Sequence, residues 1–337
     1  MSCKWFTNMY RELDRGTMYF RKKILAKISL SPENFPEIVF KAIVYRLINK
    51  IETFEEFGKL PNIADWKTFQ TFLSRKMKRG EVIFTSAHQN MGFNRFCETM
   101  KEVLKKIENF TKNIVAAESL QQCFFMLKSI TNIGPFFAWQ ISCDFLELKL
   151  INFDENTWTC LGPGAKAGLR RIFTVKSDRE ELELAQKLTK IMDYGFKALN
   201  LEFPYFLGRK LTLKNIEHAL CEYDKYFRAA TKQPTRERVF QSRSCLDSCS
   251  CVECGKRFTD NNSNTKCVLC GSVFHQECLG SDWYNGLTEG NWWLCPKCHQ
   301  VEFGDEQDDD RVFVYEHVKD QFKIRPVKVL LKQIAVE

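Results

Sequence analysis

The chain has 337 residues, 44% of them hydrophobic and 27% charged, with a formal net charge of +8. That length gives one large domain or two to three smaller ones, each able to bury a core, and the composition excludes a mostly disordered chain. No apolar run approaches the roughly 20 residues that span a bilayer, and the start, MSCKWFTNMYRELDRG, lacks an apolar signal core. Neither secretion nor a membrane span is therefore expected, and the 15 Cys do not read as a disulfide framework. The charge is uneven. Residues 1–250 hold 40 Lys and Arg against 28 Asp and Glu, a net +12, whereas residues 251–337 hold 10 against 14, a net −4. A basic large part suits a polyanionic partner, and equally suits a well-solvated surface.

Residues 1–230 read as a mainly α domain. Apolar residues recur at helical spacing at Ile38, Val39, Ala42, Ile43 and Leu47, at Phe96, Met100, Val103, Leu104 and Ile107, and at Leu182, Leu184, Ala185, Leu188, Ile191 and Met192. Turn signals separate these stretches at SPENFP (31–36), KLPN (59–62), GPG (162–164) and EFP (202–204). Eight to ten helices are predicted, at a mean length of about 11–12 residues. No internal repeat is visible. GPGAKAGL (162–169) has the letters of a P-loop but not the G-x4-G-K-[ST] order.

The segment ITNIGPFFA (130–138) resembles a helix-hairpin-helix, in which a tight turn between two helices points backbone N–H groups at a DNA phosphate. Asn132 stands at the first Gly position and tolerates a left-handed backbone, Gly134 stands at the second, and Ala138 fits the packing position. An ordinary connection between two helices of a bundle reads equally well. By resemblance to helix-hairpin-helix DNA glycosylases, a catalytic Asp follows the hairpin, and Asp154 lies 18 residues after Phe136. Phe136 occupies the position where bifunctional members carry a nucleophilic Lys, and it cannot form a Schiff base.

Further along, Gly162-Pro163-Gly164-Ala165 followed by Lys166, Arg170 and Arg171 reads as an anion-binding helix start, either for a DNA phosphate or for a reacting one. Trp158, just ahead of it, reads as a base-stacking or a core residue. Arg46 and Asn49, three apart, share a helix face that would border the same pocket, and Thr85 and His88 are further candidates to line it. In IEHALCEYDKYFR (216–228), helical spacing aligns Glu217 with Cys221 and Asp224, while Ile216, Leu220, Tyr223 and Phe227 suit packing. Asp154, Glu217 and Asp224 are the candidate catalytic carboxylates, as general acid or base.

Four of these segments together resemble one family of DNA-base modifiers over about residues 36–228. They are VYRLINKIETFEEFG (44–58), VIFTSAHQNMG (82–92), NTWTCLGPGAKAGLRRIF (156–173) and LTLKNIEHALCEYDKYFR (211–228). The family includes the helical domain of phage 5-hydroxymethyl-deoxyuridine DNA kinases and the α-glutamyl/putrescinyl-thymine pyrophosphorylases. The resemblance implies action on a thymine-derived base in DNA, with the base flipped out of the stack. The pyrophosphorylases attach an amine or amino acid at the exocyclic methylene carbon and displace pyrophosphate. The kinases install the phosphate through a P-loop unit, whose motif is not found here, so a stand-alone kinase is not expected.

Residues 231–248 are polar, basic and Pro-interrupted and read as a linker. Between 251 and 298, seven Cys and one His fall in pairs: Cys251 and Cys254, Cys267 and Cys270, His275 and Cys278, Cys295 and Cys298. Each pair has x2 spacing, and four pairs supply two tetrahedral Zn²⁺ sites. Over about 48 residues the spacing is similar to a PHD finger, including the aromatic Trp293 two residues before Cys295. That resemblance implies interleaved ligation, with Cys251, Cys254, His275 and Cys278 on one zinc and Cys267, Cys270, Cys295 and Cys298 on the other. It also implies a nuclear, chromatin-bound protein. Val273 stands where methyl-lysine readers place a cage Trp, so the cage is not expected, although Asp260, Asp282 and Glu289 could receive an unmodified basic histone tail. GDEQDDD (304–310) reads as a solvated acidic loop, and the tail to 337 as strand-like and then helical.

The expected architecture is thus a helical, DNA glycosylase-like domain (1–230), a linker (231–248), a two-zinc finger (249–300) and a tail (301–337). The expected function is modification or recognition of a thymine-derived base such as 5-hydroxymethyluracil. Two alternatives are an adaptor that binds DNA without chemistry and a monofunctional glycosylase in which Asp154 activates water.

Overall fold

A computed structural model describes residues 9–25, 28, 30–86, 90–203, 205–231, 233, 250–258, 264–268, 270, 272–279, 293–296 and 298. The expected linker beyond residue 233, the tail from 301, His88, Asp260, Asp282 and Glu289 lie outside the described residues.

Among the described residues, ten α-helices occupy the first 230. They are α1 (Arg15–Leu25), α2 (Phe35–Ile48), α3 (Ile51–Phe57), α4 (Trp66–Lys78), α5 (Phe93–Val115), α6 (Leu120–Lys128), α7 (Pro135–Glu147), α8 (Pro163–Ile172), α9 (Asp178–Ala198) and α10 (Leu213–Ala230). Their starts follow local chemistry. Ser119 and Ser177 cap α6 and α9 by accepting from the backbone N–H of Gln122 and Glu180, and proline sits in the first turn of α2, α7 and α8. Thr212 and Asn215 form a reciprocal capping box at the start of α10. At the other end of α2, Asn49 takes a left-handed φ of 46° and terminates the helix.

Two helices form the centre. In α2 every residue from Ile38 to Ile48 is buried, and α7 is buried from Phe137 to Glu147 apart from a half-buried Gln140. A helix apolar on all sides must be covered on all sides. Here α5 and α7 pack on α2, and α6 packs on α7. The strongly amphipathic α5 turns Phe96, Met100, Val103, Ile107 and Ile114 inward. On the far side α8 and α9 both pack on α10.

Among the described residues of the Cys-rich segment, β1 (Asn264–Lys266) pairs antiparallel with β2 (Val273–His275), with Thr265 opposite Phe274. Trp293 is buried edge-on against Phe274, with ring centroids 5.3 Å apart.

Candidate functional site

The two most distinctive segments of the family resemblance meet face to face, as α8 and α10. The glycines of GPGAKAGL explain how. A Cβ on Gly164 would lie 2.5 Å from Cys221 Sγ, and one on Gly168 would lie 2.1 Å from the Leu220 carbonyl oxygen. Both glycines are therefore required by the close approach of α8 to the α10 backbone. A flexible phosphate-cradling loop is not what their spacing encodes.

The cations of α8 are likewise engaged within the domain. Lys166 sits 2.8 Å from both Asp178 and Glu181, and Arg170 sits 2.7 Å from Glu181. Arg171 donates through Nε to Asp224 at 2.7 Å, with its guanidinium carbon 4.1 Å from the centre of the Phe227 ring. Asp224 accepts on its other oxygen from Arg228 at 2.9 Å. The phosphate clamp expected of Lys166, Arg170 and Arg171 thus becomes a set of carboxylate pairs, and Asp224 becomes an anchor for two arginines. The charge signal in the sequence was real, but it is answered from α9 and α10.

Arg46 and Asn49 do share a face of α2, yet it looks inward. Arg46 makes a bidentate pair with the fully buried Asp144 of α7, with Nε donating at 2.8 Å, and its guanidinium also lies 3.5 Å from Asn49. Thr85 donates its N–H to the Ile48 carbonyl at 2.9 Å and so straps the 82–92 segment to the end of α2.

In the turn between α6 and α7, Asn132 has the left-handed conformation its sequence position allows, with φ 64°. Its side chain donates to Glu98 at 3.0 Å, and the neighbouring Thr131 N–H donates to Glu102 at 3.0 Å. Two α5 carboxylates therefore stand where the hairpin reading places a phosphate. Gly134 caps α7 in an extended conformation, with open space around it. Asp154 is exposed and accepts from the Asn156 N–H (2.9 Å) and side chain (3.0 Å), a local Asx turn rather than a pocket acid. That turn positions Asn156 to accept from the Leu213 N–H at 3.1 Å and so to dock the loop on the start of α10.

Glu217 is different. It is buried where α7, α8 and α10 meet, Trp139 Nε1 donates to its Oε2 at 3.2 Å, and the Gly162 N–H donates to its Oε1 at 3.3 Å. An anion position at the start of α8 exists, and a carboxyl of the chain fills it. Burial pushes the Glu217 carboxyl above the ordinary glutamate range, against the opposing pull of the Trp139 indole and the Gly162 amide. Trp158, Cys160 and Cys221, all half-buried, lie around the same junction. From it an aromatic series leads to the surface. Trp139 lies 5.8 Å from Trp158, which lies 5.0 Å from Phe124, itself 5.3 Å from Phe125, which is 52% exposed. Trp158 thus packs against both the core and this aromatic path. The arrangement offers a buried carboxyl, its pKa raised by burial, beside an aromatic wall.

Three residues that matter here escaped the sequence reading: Trp139, Asp144 and Glu147, all on the apolar α7. The signal for Asp144 and Glu147 is an acid placed within a run that otherwise reads as core, which demands a buried partner. For Glu147 those partners are Arg21, at 3.1 Å, and Lys214, at 2.5 Å. Burial opposes the Glu147 charge, yet Lys214 and Arg21 outweigh it and hold the carboxyl at about 2.

In the Cys-rich segment the side chains gather into two groups, Cys251, Cys254, His275 and Cys278, and Cys267, Cys270, Cys295 and Cys298, with ligand atoms within 4.8 Å of one another in each. This is the interleaved division of the eight. Cys254 Sγ lies 3.3 Å and Cys278 Sγ 3.8 Å from His275 Nδ1, and Cys270 Sγ lies 3.7 Å from Cys295 Sγ. These separations match the edges of a tetrahedron with metal–sulfur bonds of about 2.3 Å and are far longer than the ~2.05 Å of a disulfide. The hairpin turns do the gathering. Gly255, with φ 71°, returns its N–H to the Cys251 carbonyl, and Cys267 N–H donates to the Ser272 carbonyl at 2.8 Å. Thiolates with one imidazole, mostly buried, can hold two structural metal ions, and the donor set fits zinc.

The model of the helical domain of 5-hmdU DNA kinase matches residues 1–236. A protein described as 5-hmdU DNA kinase, from Bacillus phage SP10, is 26% identical over 254 residues, covering 67% of this chain and 40% of the relative. The chain thus spans less than half the length of that relative. No solved structure matches. The match takes in all ten helices, the α8–α10 seam and Glu217, and the chain belongs to the 5-hmdU DNA kinase helical-domain family.

Proposed function

We propose that the helical domain holds 5-hydroxymethyluracil, or a related thymine-derived base, in DNA and modifies it beside Glu217. On this reading two zinc ions fold the Cys-rich segment into a PHD-type finger that directs the protein to chromatin in the nucleus. The single observation carrying the proposal is the state of Glu217. It is a buried carboxyl whose hydrogen bonds come from an indole and an amide rather than from a cation, at the junction of the two segments most distinctive of the family. A carboxyl whose pKa burial raises can, when protonated, give a proton to a leaving oxygen or, when ionised, take one from an attacking nucleophile. Trp158, half-buried against Trp139, supplies a ring face for a base taken out of the duplex.

One observation favours a second reading, binding without chemistry. Lys166, Arg170 and Arg171 each pair with a carboxylate of α9 or α10, which competes with a reacting phosphate for their charge. The first test is binding of the zinc-loaded full chain to duplexes with a single 5-hydroxymethyluracil or thymine at the same position. Either reading expects at least tenfold preference for the modified base, lost in Trp158→Leu and largely kept in Trp158→Phe. Equal affinity for the two duplexes would contradict both.

A further inference from the structure

A surface on α4 shares no residue with the Glu217 junction. A groove of about 540 Å3, open to solvent, lies between α3 and α4. Its floor is aromatic. Phe57 and Phe72 are half-buried, their ring centroids 5.3 Å apart, and both rest on the fully buried Phe69. Along one edge, exposed Lys67, Thr71 and Arg75 recur at every fourth residue of α4. Lys78, exposed and three residues after Arg75, continues the stripe.

The charge of this stripe is unanswered, unlike that of α8. From Trp66 to Gly80 the sequence has five Lys and Arg and no Asp or Glu. Two of the five, Lys76 and Arg79, are matched by Glu56 and Glu81, and Glu56 is the one acid among the groove's lining residues. Lys67, Arg75 and Lys78 have no carboxylate partner among the described residues. Helix stability explains this only in part. Cations in the last turn suit the helix dipole, but Lys67 lies in the first turn, where α4 has no acid and the dipole opposes a cation. Arg75 also has like charges three and four residues on, at Lys78 and Arg79, an arrangement that weakens a helix.

Unmatched cations beside ring faces are the lining that suits a nucleic-acid strand, because the cations take phosphates and the rings stack bases. Length selects a polymer over a single nucleotide. Lys67 and Lys78 stand about 16 Å apart along the helix at ~1.5 Å per residue, against one phosphate per ~3.4 Å of a stacked strand. Stacking on protein rings requires bases released from pairing, so the strand is a single one. An acidic peptide would answer the cations and leave the aromatic floor without a ring to stack.

We propose that the α3–α4 groove binds unpaired, single-stranded DNA, with Lys67, Arg75 and Lys78 on its phosphates and Phe57 and Phe72 against its bases. The proposal rests on the reading of the domain as one that acts on DNA, and it needs neither Glu217 nor the reaction proposed there.

The test is fluorescence anisotropy of a labelled short oligothymidylate with the zinc-loaded full chain over a series of salt concentrations. The parent should bind with a salt-dependent affinity. Lys67→Gln, Arg75→Gln and Lys78→Gln combined should lower that affinity more than tenfold and reduce the salt slope by about 2, at ~0.7 per lost phosphate contact of a single strand. The control is an equal change of charge on exposed residues of α5 and α9, Lys112→Gln, Lys187→Gln and Lys190→Gln combined, which should bind within a fewfold of the parent. Phe72→Leu keeps the apolar floor, removes a ring and should cost at least about fivefold. No binding by the parent, equal losses in the two triple variants, or equal affinity for an oligoglutamate of the same charge would each overturn the proposal. Unchanged affinity in Phe72→Leu would also overturn it, and the two triple variants decide should Phe72→Leu fail to fold. The preference for 5-hydroxymethyluracil over thymine in duplex DNA, measured on the same proteins, should survive the α4 triple, so failure of the groove and failure of the Glu217 site are read separately.

Discussion

The Cys-rich segment and the α8–α10 seam both advertise themselves in the sequence, and they do so for opposite reasons. In the first, the residue types carry the chemistry. Thiolates and an imidazole in pairs two residues apart bring donor atoms together by tight local turns, and the structure gathers the same eight side chains into two groups. In the second, GPGAKAGLRR has the letters of an anion site, yet the glycines serve backbone approach and the cations serve ion pairs. The difference is where the partner comes from. A metal comes from solution, so its site must be written in full in the ligands. A helix packs on another stretch of the same chain, so half of its meaning lies elsewhere in the sequence.

The sharpest way to break this comparison is to remove the metal. Chelation of the native protein should release about two Zn²⁺ per chain and unfold the Cys-rich segment outright, as for zinc-dependent modules in which metal binding supplies the folding free energy. Far-UV circular dichroism should keep its helical amplitude, because the ten helices lie outside that segment. One metal per chain, or a parallel loss of helix, would contradict the independence of the two regions.

Next in size is the ion pair beneath the helices. Arg46→Met leaves the fully buried Asp144 charge without its bidentate partner and should cost about 3–5 kcal/mol in denaturant unfolding. A cost below ~1 kcal/mol would mean that the Arg46–Asp144 pair does not hold α2 to α7.

Smaller, and aimed at the seam itself, is a pair of glycine substitutions. Gly168→Ala drives a methyl to 2.1 Å from the Leu220 carbonyl oxygen, so α8 must shift, at about 1–3 kcal/mol. Gly134→Ala, with nothing within 4 Å, should change stability by no more than about 0.5 kcal/mol. Equal effects would return the α8 glycines to the anion-binding helix start read from the sequence.

Smallest is the pH effect of two buried glutamates. Glu217 has its folded pKa raised by burial, so the stability it contributes is complete below its unfolded value near 4.5 and is lost as pH rises through the folded value. Glu217→Gln should therefore gain on the parent as pH increases above 4.5. Glu147, held at about 2, has the opposite sign, contributing above its unfolded value and failing as pH falls towards 2. A Glu217→Gln protein that tracks the parent at every pH would refute the upward shift of Glu217.

These expectations also mark how far the sequence could be read. Helix positions were legible because apolar spacing is a local property, and α2, α5, α9 and α10 fall on the predicted stretches. Asn132 was legible as a left-handed residue for the same reason. The roles of Lys166, Arg171, Arg46 and Asp224 were not, because a charge reveals nothing about a partner 12, 53 or 98 positions away. Asp154 was placed by its distance from a motif, and a distance along the chain does not separate a pocket acid from the first residue of an Asx turn. Glu217 was picked for its helix face, but its distinguishing feature, the Trp139 hydrogen bond, needed the fold.

The central claim is that Glu217 is the working carboxyl of a base-modifying site. Its most direct test is mass spectrometry of nucleosides from 5-hydroxymethyluracil duplex DNA, with a pyrophosphate ester of the base in one arm. The DNA is incubated with amines, amino acids and either the parent chain or Glu217→Gln. A new nucleoside mass made by the parent and absent with Glu217→Gln, at equal DNA affinity, is the predicted result. The same adduct from both proteins would remove Glu217 from the chemistry, and no adduct from either, with binding intact, would leave a DNA-binding adaptor.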